Sequence, residues 1–194
     1  LVMALRKSLR KLDWWTSARP EPNLRNSLDL AALGTVADVV PLLEENRIIT
    51  YHGLKVMNTK PRLAIQVLKK LKKIETITSR TLAFQFAPLM NAAGRLKDAD
   101  IAVRFLLSNE RQEAEEIAKI LDATNVERRE KESDMIQIAL ELAEEQKNNP
   151  ALILVSPKFH EGVNGIVATR LVERFYKPVL ILSENEGKIK GSGR

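Results

Sequence analysis

The sequence predicts an α/β protein in which a largely helical first part is joined by one long helix to the beginning of a small α/β unit. Three observations indicate this fold class. Apolar residues recur at helical spacing in the first part, residues 109–149 are polar nearly all round in their middle, and compact β-type runs follow Pro150. The expected divisions of the chain are therefore residues 1–108, 109–149 and 150–194.

The first part is interpreted as a series of amphipathic helices. Residues 1–15 place leucines on one face and basic residues off it. Thr78 and Ser79 are expected to cap a later element that Pro88 ends. The apolar spacing predicts further helices over residues 44–58, 61–73 and 98–107.

The apolar stretch Leu28–Leu42 is the first candidate for a functional element. It contains Asp38, and the valines and Pro41 that follow place this carboxylate near the end of an element. Burial of an ionised carboxylate costs several kcal/mol unless a cation or strong donors meet it, so we expect a divalent metal ion as partner. The alternative is that Asp38 caps a helix or lies on the surface between two buried turns.

Small residues and an arginine form the second candidate, Asn91–Arg95. The small residues permit a close backbone approach, and Gly94 can adopt conformations that other residues avoid. Arg95 offers a planar set of donors suited to phosphate. A plain loop with a surface arginine is the alternative.

The segment after Pro150 is predicted as strand, helix, strand and a final strand. His160 and two glycines lie between the first strand and the helix, where free backbone N–H groups can meet an anion. In a glycine-rich turn at residues 191–194, a hydroxyl, backbone donors and a guanidinium are expected to converge on a phosphate.

Composition and charge limit the classes of function. Residues 109–149 carry a net charge of −6, which leaves +12 for the rest of a chain whose total is +6. A segregated basic surface favours a polyanionic partner such as nucleic acid, and ordinary solubility is the alternative. The chain has no cysteine, which excludes disulfides, zinc–thiolate sites and a cysteine nucleophile and is typical of a reducing cytoplasm.

The ends of the sequence raise two expectations. No apolar run approaches the roughly 20 residues that span a bilayer, and the basic N-terminal segment lacks the order of a signal peptide. A start at Leu1 and an end within a glycine-rich stretch lead us to expect a piece of a longer protein. Its sheet would then be incomplete and open to pairing with another chain.

Four motifs in this order resemble the RecJ branch of the DHH phosphoesterases, the single-strand-specific 5′ to 3′ DNA exonucleases: LAALGTVADVVPL, LMNAAGRL, FHEGVNGIVATRL and KGSGR. The resemblance implies the C-terminal part of a DHH catalytic domain that holds two Mn²⁺ or Mg²⁺ ions. A long helix would join it to a DHH-associated domain, with single-stranded DNA between the two.

The resemblance also implies roles for individual residues. Asp38 matches the metal-binding and catalytic Asp of the GTVAD motif, and Ser192 and Arg194 match the residues that bind a terminal phosphate. The DNA-binding or phosphate-binding positions implied by the motifs are Asn91, Arg95, His160, Arg170, Ser192 and Arg194.

One departure from the family pattern limits the expected activity. The family's Asp-x-Asp motif and Asp-His-His triplet would both lie upstream of the Asp38 motif, and residues 1–37 contain neither. We therefore expect the chain by itself to be inactive, within a parent protein that acts in DNA repair and recombination by two-metal phosphodiester hydrolysis. The alternatives are a DHH-family phosphodiesterase for oligonucleotides or cyclic dinucleotides, and a non-catalytic nucleic-acid-binding relative.

Overall fold

A computed structural model of the chain describes residues 1–185 and 187–194. The predicted α/β class is confirmed. The described residues contain the α-helices α1 (Val2–Lys11), α2 (Leu28–Ala37), α3 (Glu44–Thr59), α4 (Leu63–Lys72), α5 (Ser79–Thr81), α6 (Ala87–Leu96), α7 (Asp100–Leu107), α8 (Arg111–Glu145) and α9 (Glu161–Phe175). The strands are β1 (Leu152–Ser156), β2 (Val179–Asn185) and β3 (Lys188–Gly193).

Two hydrophobic cores lie along the same long helix, α8. Its first half contributes Ala114 and Leu121 to a core built with helices α2, α3, α4, α6 and α7. Its second half contributes Met135 and Ala139 to a core built with α9 and the sheet. The residues between them are mostly polar and exposed, which explains why α8 has no continuous apolar face.

The three strands form one mixed sheet in the order β1, β2, β3. Strands β1 and β2 are parallel and are joined through α9, whereas β3 returns antiparallel to β2. Leu152 and Leu154 are buried toward the helices, and Ile153 and Val155 on the other face of β1 are exposed. Side chains alternate across a strand, so one face of the sheet is covered and the other presents aliphatic side chains.

The prediction of a glycine-rich turn at residues 191–194 is wrong, because strand β3 continues through Gly193. Gly191 pairs with Leu182, and the Leu182 side chain and the Ile181 carbonyl occupy the space that a Cβ at Gly191 would need. Glycine here permits close contact within a strand and is not a turn residue.

The prediction that Pro88 ends a helix is also wrong. A π-helical turn over Leu82–Phe86 leads directly into α6, and Pro88 lies in the first turn of that helix. The wider π-helical turn, in which the Ala87 N–H bonds to the Leu82 carbonyl, accommodates Pro88 within a continuous helix. The segment Asn91–Arg95 is consequently helical and not a loop.

A buried ion pair ties three helices of the first core together. Asp29 of α2 is 2% exposed and accepts bonds from Arg62, with Nε–Oδ2 at 2.5 Å and Nη2–Oδ1 at 2.8 Å. Arg62, directly before α4, also donates to the carbonyl of Leu106 at the end of α7 (3.1 Å). The pair thus satisfies a buried carboxylate and fixes the ends of α4 and α7 beside α2.

No helix in the described part of the chain is both long and apolar enough to cross a membrane.

Replacement of Arg62 by Ala should lower the free energy of unfolding by about 3 to 5 kcal/mol, because the Asp29 carboxylate would stay buried without its cation. Urea denaturation followed by circular dichroism measures the loss. Glu127→Ala, which removes an exposed pair with Lys131 on α8, should change this energy by less than about 0.5 kcal/mol. Equal losses in the two variants would contradict the role of the buried pair.

Candidate nucleic-acid interface

The N-terminus of helix α9 organises several of the residues singled out from the sequence. His160 is its N-cap, and its Nδ1 accepts a hydrogen bond from the N–H of Gly162 at 3.1 Å. Because Nδ1 is the acceptor, the neutral ring carries its proton on Nε2. His160 therefore has a structural role at the start of α9, and in the neutral half-buried ring Nε2–H is the one N–H donor.

Gly162 is the point at which α6 meets α9. The carbonyl oxygen of Arg95 lies well within 3.0 Å of where a Cβ at Gly162 would be, a distance that real Cβ atoms essentially never show. The Arg95 guanidinium donates from Nη1 to the Gly162 carbonyl at 3.4 Å. Arg95, in the last turn of α6, and His160, the N-cap of α9, are therefore neighbours.

Ser192 and Arg194 lie one turn further along α9, at Gly165. A Cβ at Gly165 would be 3.1 Å from Nη2 of Arg194 and 3.2 Å from Oγ of Ser192. The Arg194 main chain is fixed by paired hydrogen bonds with Val179, at 2.9 and 3.0 Å. Residues three apart share a helix face, so the hydroxyl and guanidinium lie on the same face of α9 as the contact with Arg95.

Of the two remaining candidates, Asn91 lies on the same side of α6 as Arg95, whereas Arg170, elsewhere on α9, is paired with acidic side chains. Asn91 is exposed and lies four residues before Arg95 on α6, so the two side chains project from the same side of that helix. Arg170 is also exposed, but its guanidinium lies 3.9 Å from a Glu132 carboxylate oxygen on α8 and 3.6 Å from one of Glu173. The structure does not bring Arg170 to the contacts at Gly162 and Gly165.

The expectation that Asp38 is buried is wrong. Asp38 follows the last residue of α2 as its C-cap, and its side chain is exposed. The next residue, Val39, has a φ of 56° and is 86% exposed. A left-handed backbone is unfavourable for a β-branched residue, so the chain beside Asp38 is strained, as is common at functional sites.

The buried carboxylate of this stretch is Asp29, which the sequence interpretation overlooked. Its signal was present, since Asp29 stands among leucines and alanines at the start of the same apolar stretch. Its partner Arg62 lies 33 residues away and could not be identified by spacing.

The metal ligands expected from the motifs are incomplete within the chain. Among residues 1–185 and 187–194, no three or more His, Asp or Glu side chains are grouped so that they could hold a metal ion. A divalent ion requires several oxygen or nitrogen ligands in a fixed arrangement. The side chains present therefore do not form a metal centre, and Asp38 can contribute only one carboxylate.

A cleft of about 610 Å³ beside His160 was not anticipated from the sequence. Lys131, Lys158, Lys188 and Lys190 line it together with acidic side chains. Glu161 accepts an ion-pair contact from Lys190 at 2.7 Å. The alternation in Lys188–Lys190 indicates a strand with lysines on one face, but the distance to Lys131 on α8 depends on tertiary structure.

Comparison with known proteins agrees with the motifs. No protein-family model matches the chain. The single-stranded-DNA-specific exonuclease RecJ of Dickeya dadantii is 41% identical over the whole chain, which covers 35% of that protein. RecJ of Bacillus subtilis is 43% identical over 86% of the chain, which corresponds to 22% of its own length.

Solved structures match as well. A crystal structure of exonuclease RecJ bound to manganese has a TM-score of 0.80 at 33% identity, covering 90% of this chain and 43% of that one. RecJ from Thermus thermophilus in complex with Mn²⁺ has a TM-score of 0.78 at 32% identity, covering 91% of this chain and 26% of that one.

The fold and the ordered motifs define part of a DHH-type phosphoesterase. Within that superfamily the chain belongs to the RecJ family. It spans about a third of the length of the curated RecJ of Dickeya dadantii.

The Glu161–Lys190 pair should be visible in titration. The hydrogen bond from Lys190, and then its charge, lower the pKa of the Glu161 carboxyl from its ordinary value. The pair therefore favours the folded chain at neutral pH and loses this effect as the pH falls through the lowered pKa. In an NMR titration Lys190→Ala should raise the pKa of Glu161, whereas Lys188→Ala should leave it unchanged. An unaltered pKa in Lys190→Ala would contradict the pairing.

Proposed function

We propose that this chain is part of a single-stranded-DNA-specific 5′ to 3′ exonuclease, and that its α9 face binds the phosphate at the 5′ end of the strand. The observation that carries the proposal is the placement of Arg95, Ser192 and Arg194 along one face of α9. Two guanidinium groups and a hydroxyl beside a helix N-terminus are suited to a phosphate, because charge-assisted donors and the helix dipole both favour an anion.

The remaining candidate residues extend this surface along the strand. Asn91, one helical turn before Arg95, would donate to the next phosphate or to a base. Arg170 would exchange its contacts with Glu132 and Glu173 for a DNA phosphate, since both ion pairs are long and the guanidinium is 60% exposed. Nε2 of His160 is the remaining donor at the start of α9.

The whole protein, meaning the longer protein of which this chain would form part, is proposed to require Mn²⁺ or Mg²⁺. RecJ of Thermus thermophilus was crystallised with each of these ions. Asp38 would supply one ligand, and the strained backbone at Val39 supports a functional role at this helix end. The other ligands would come from outside these 194 residues, so the chain alone is expected to be inactive.

The wider biological role follows from the same proposal. A nuclease that degrades single strands from the 5′ end serves DNA repair and recombination, and the lack of cysteine fits a cytoplasmic protein. We also propose that residues 1–108 complete a catalytic domain, that 109–149 form the interdomain helix and that 150–194 begin the associated domain. The edge of β3 would be the surface through which an isolated chain pairs with another copy.

Replacement of Asp38 by Ala in the whole protein should reduce Mn²⁺-dependent degradation of 5′-phosphorylated single-stranded DNA. A lost ligand should cost more than the roughly 100-fold that loss of an outer-shell partner costs. Glu45→Ala removes another exposed carboxylate and is the matched control. Wild-type turnover by Asp38→Ala would refute the metal role of Asp38.

Arg194→Ala and Ser192→Ala should weaken recognition of the terminal phosphate. A hydrogen bond to a charged group contributes about 1.5 to 3 kcal/mol, so we expect KM for 5′-phosphorylated DNA to rise roughly 10-fold to 100-fold in Arg194→Ala. KM for a 5′-hydroxyl strand should change much less. Arg25→Ala, at an exposed arginine before α2, is the control. Equal effects on the two substrates would exclude a 5′-phosphate site at Arg194.

A further inference from the structure

We propose that Gly162 is a positioning residue that sets the spacing between the two cores, and with it the distance from Arg95 to the pair Ser192 and Arg194. This inference rests on the proposed function, because it concerns how the phosphate-binding groups are held. It goes further by identifying a residue that has no side chain with which to touch DNA.

The contact at Gly162 is made by main chain on both sides. The space that a Cβ would need is filled by the carbonyl oxygen of Arg95, and the carbonyl carbon lies 3.0 Å from the same point. The Arg95 carbonyl lies in the last turn of α6 and is part of the main chain, so it can move away from Gly162 only together with the end of that helix. A side chain at position 162 must therefore displace the end of α6 from the start of α9.

Gly165, one turn later, shows a different kind of contact. The atoms that would meet a Cβ there are Nη2 of Arg194 and Oγ of Ser192, which are the ends of side chains. Such groups can move by rotation about their own bonds. Substitution at Gly165 would therefore displace the ligand-binding groups locally, whereas substitution at Gly162 would displace one core relative to the other.

The junction at Gly162 adds a second connection between cores that already share α8. The middle of α8 is mostly polar and exposed, so hydrophobic packing does not support this helix between the two cores. Leu96, next to Arg95, packs against the second core and holds the end of α6 in place. Contacts at two separate points, α8 and the Arg95–Gly162 junction, fix an orientation that one connection leaves free.

The expected effect of a methyl group at position 162 follows from this geometry. The main chains must move apart by about 1 Å to bring the Cβ beyond 3.0 Å from the Arg95 oxygen. Misplacement of binding groups by about 1 Å can reduce an enzyme's rate by on the order of 100-fold. Gly162→Ala should therefore disturb phosphate binding even though Arg95, Ser192 and Arg194 are all retained.

The first test measures the distance between the cores. The chain has no cysteine, so spin labels can be attached to cysteines introduced at the exposed positions Lys55 in α3 and Arg174 in α9. Gly162→Ala should shift or broaden the distribution of label-to-label distances. Gly34→Ala is the matched control, because a Cβ at this helical glycine meets nothing within 4 Å. An unchanged distribution in Gly162→Ala overturns the inference.

Two further variants keep the test decisive if Gly162→Ala does not fold. Leu96→Ala loosens the same junction from the α6 side without a clash and should also broaden the distribution. Arg95→Ala retains the main-chain carbonyl and should leave the distance unchanged while weakening phosphate binding. A Leu96→Ala variant with the wild-type distribution would show that the junction does not orient the cores.

The second test uses the whole protein on single-stranded DNA with Mn²⁺. Gly162→Ala should lower kcat/KM for 5′-phosphorylated DNA by on the order of 100-fold, mainly through a higher KM, and should lower the preference for 5′-phosphate over 5′-hydroxyl. Simple destabilisation would reduce the active fraction and leave KM and this preference unchanged, which would overturn the positioning role. If the wild-type protein does not degrade DNA, the proposed function fails while the measured distance still decides the role of the junction.

Discussion

Helix α8 is the constraint on which the rest of the structure depends, because it supplies one side of both hydrophobic cores. Ala114 and Leu121 face the helical core, and Met135 and Ala139 face the core beneath the sheet. A 35-residue helix extends about 50 Å. Its two ends can therefore serve separate packing units, and the angle between those units depends on the middle of α8 and on contacts elsewhere.

Close approaches at glycine provide such contacts. At Gly53 the main chain of α3 meets the Leu28 carbonyl and the Ala32 Cβ of α2, and at Gly162 the start of α9 meets the Arg95 carbonyl of α6. In each case a methyl group would collide with backbone or with a buried neighbour. The helices pack at distances that larger residues do not allow, so specificity of packing at these points depends on the absence of a side chain.

Periodicity and composition predicted the succession of helices, the long α8 and the strand–helix–strand unit, since these depend on local pattern. Three features depended on tertiary structure and were predicted wrongly. Pro88 is accommodated by a π-helical turn. Gly191 lies within a strand, and the Leu182 side chain packs against its Cα. Asp38 is exposed. The motif order located Ser192 and Arg194 as candidates, but their approach to Gly165 required the fold.

Asp38 is exposed, so it needs no cation to offset a cost of burial. The candidate now rests on the GTVAD motif and on the strained backbone at Val39. Asp29 shows the opposite situation, in which a buried acid is fully satisfied by Arg62 and needs no ion.

The uncovered face of the sheet has a practical consequence for biochemistry. Parallel strands are ordinarily covered by helices on both faces of the sheet. In this chain the side chains of Ile153, Val155 and Ile189 are 45% to 61% exposed on the uncovered face. These exposed apolar side chains will make the recombinant chain prone to precipitate at high concentration. Hydrophilic replacements there offer a route to soluble samples that leaves the α9 side of the sheet untouched.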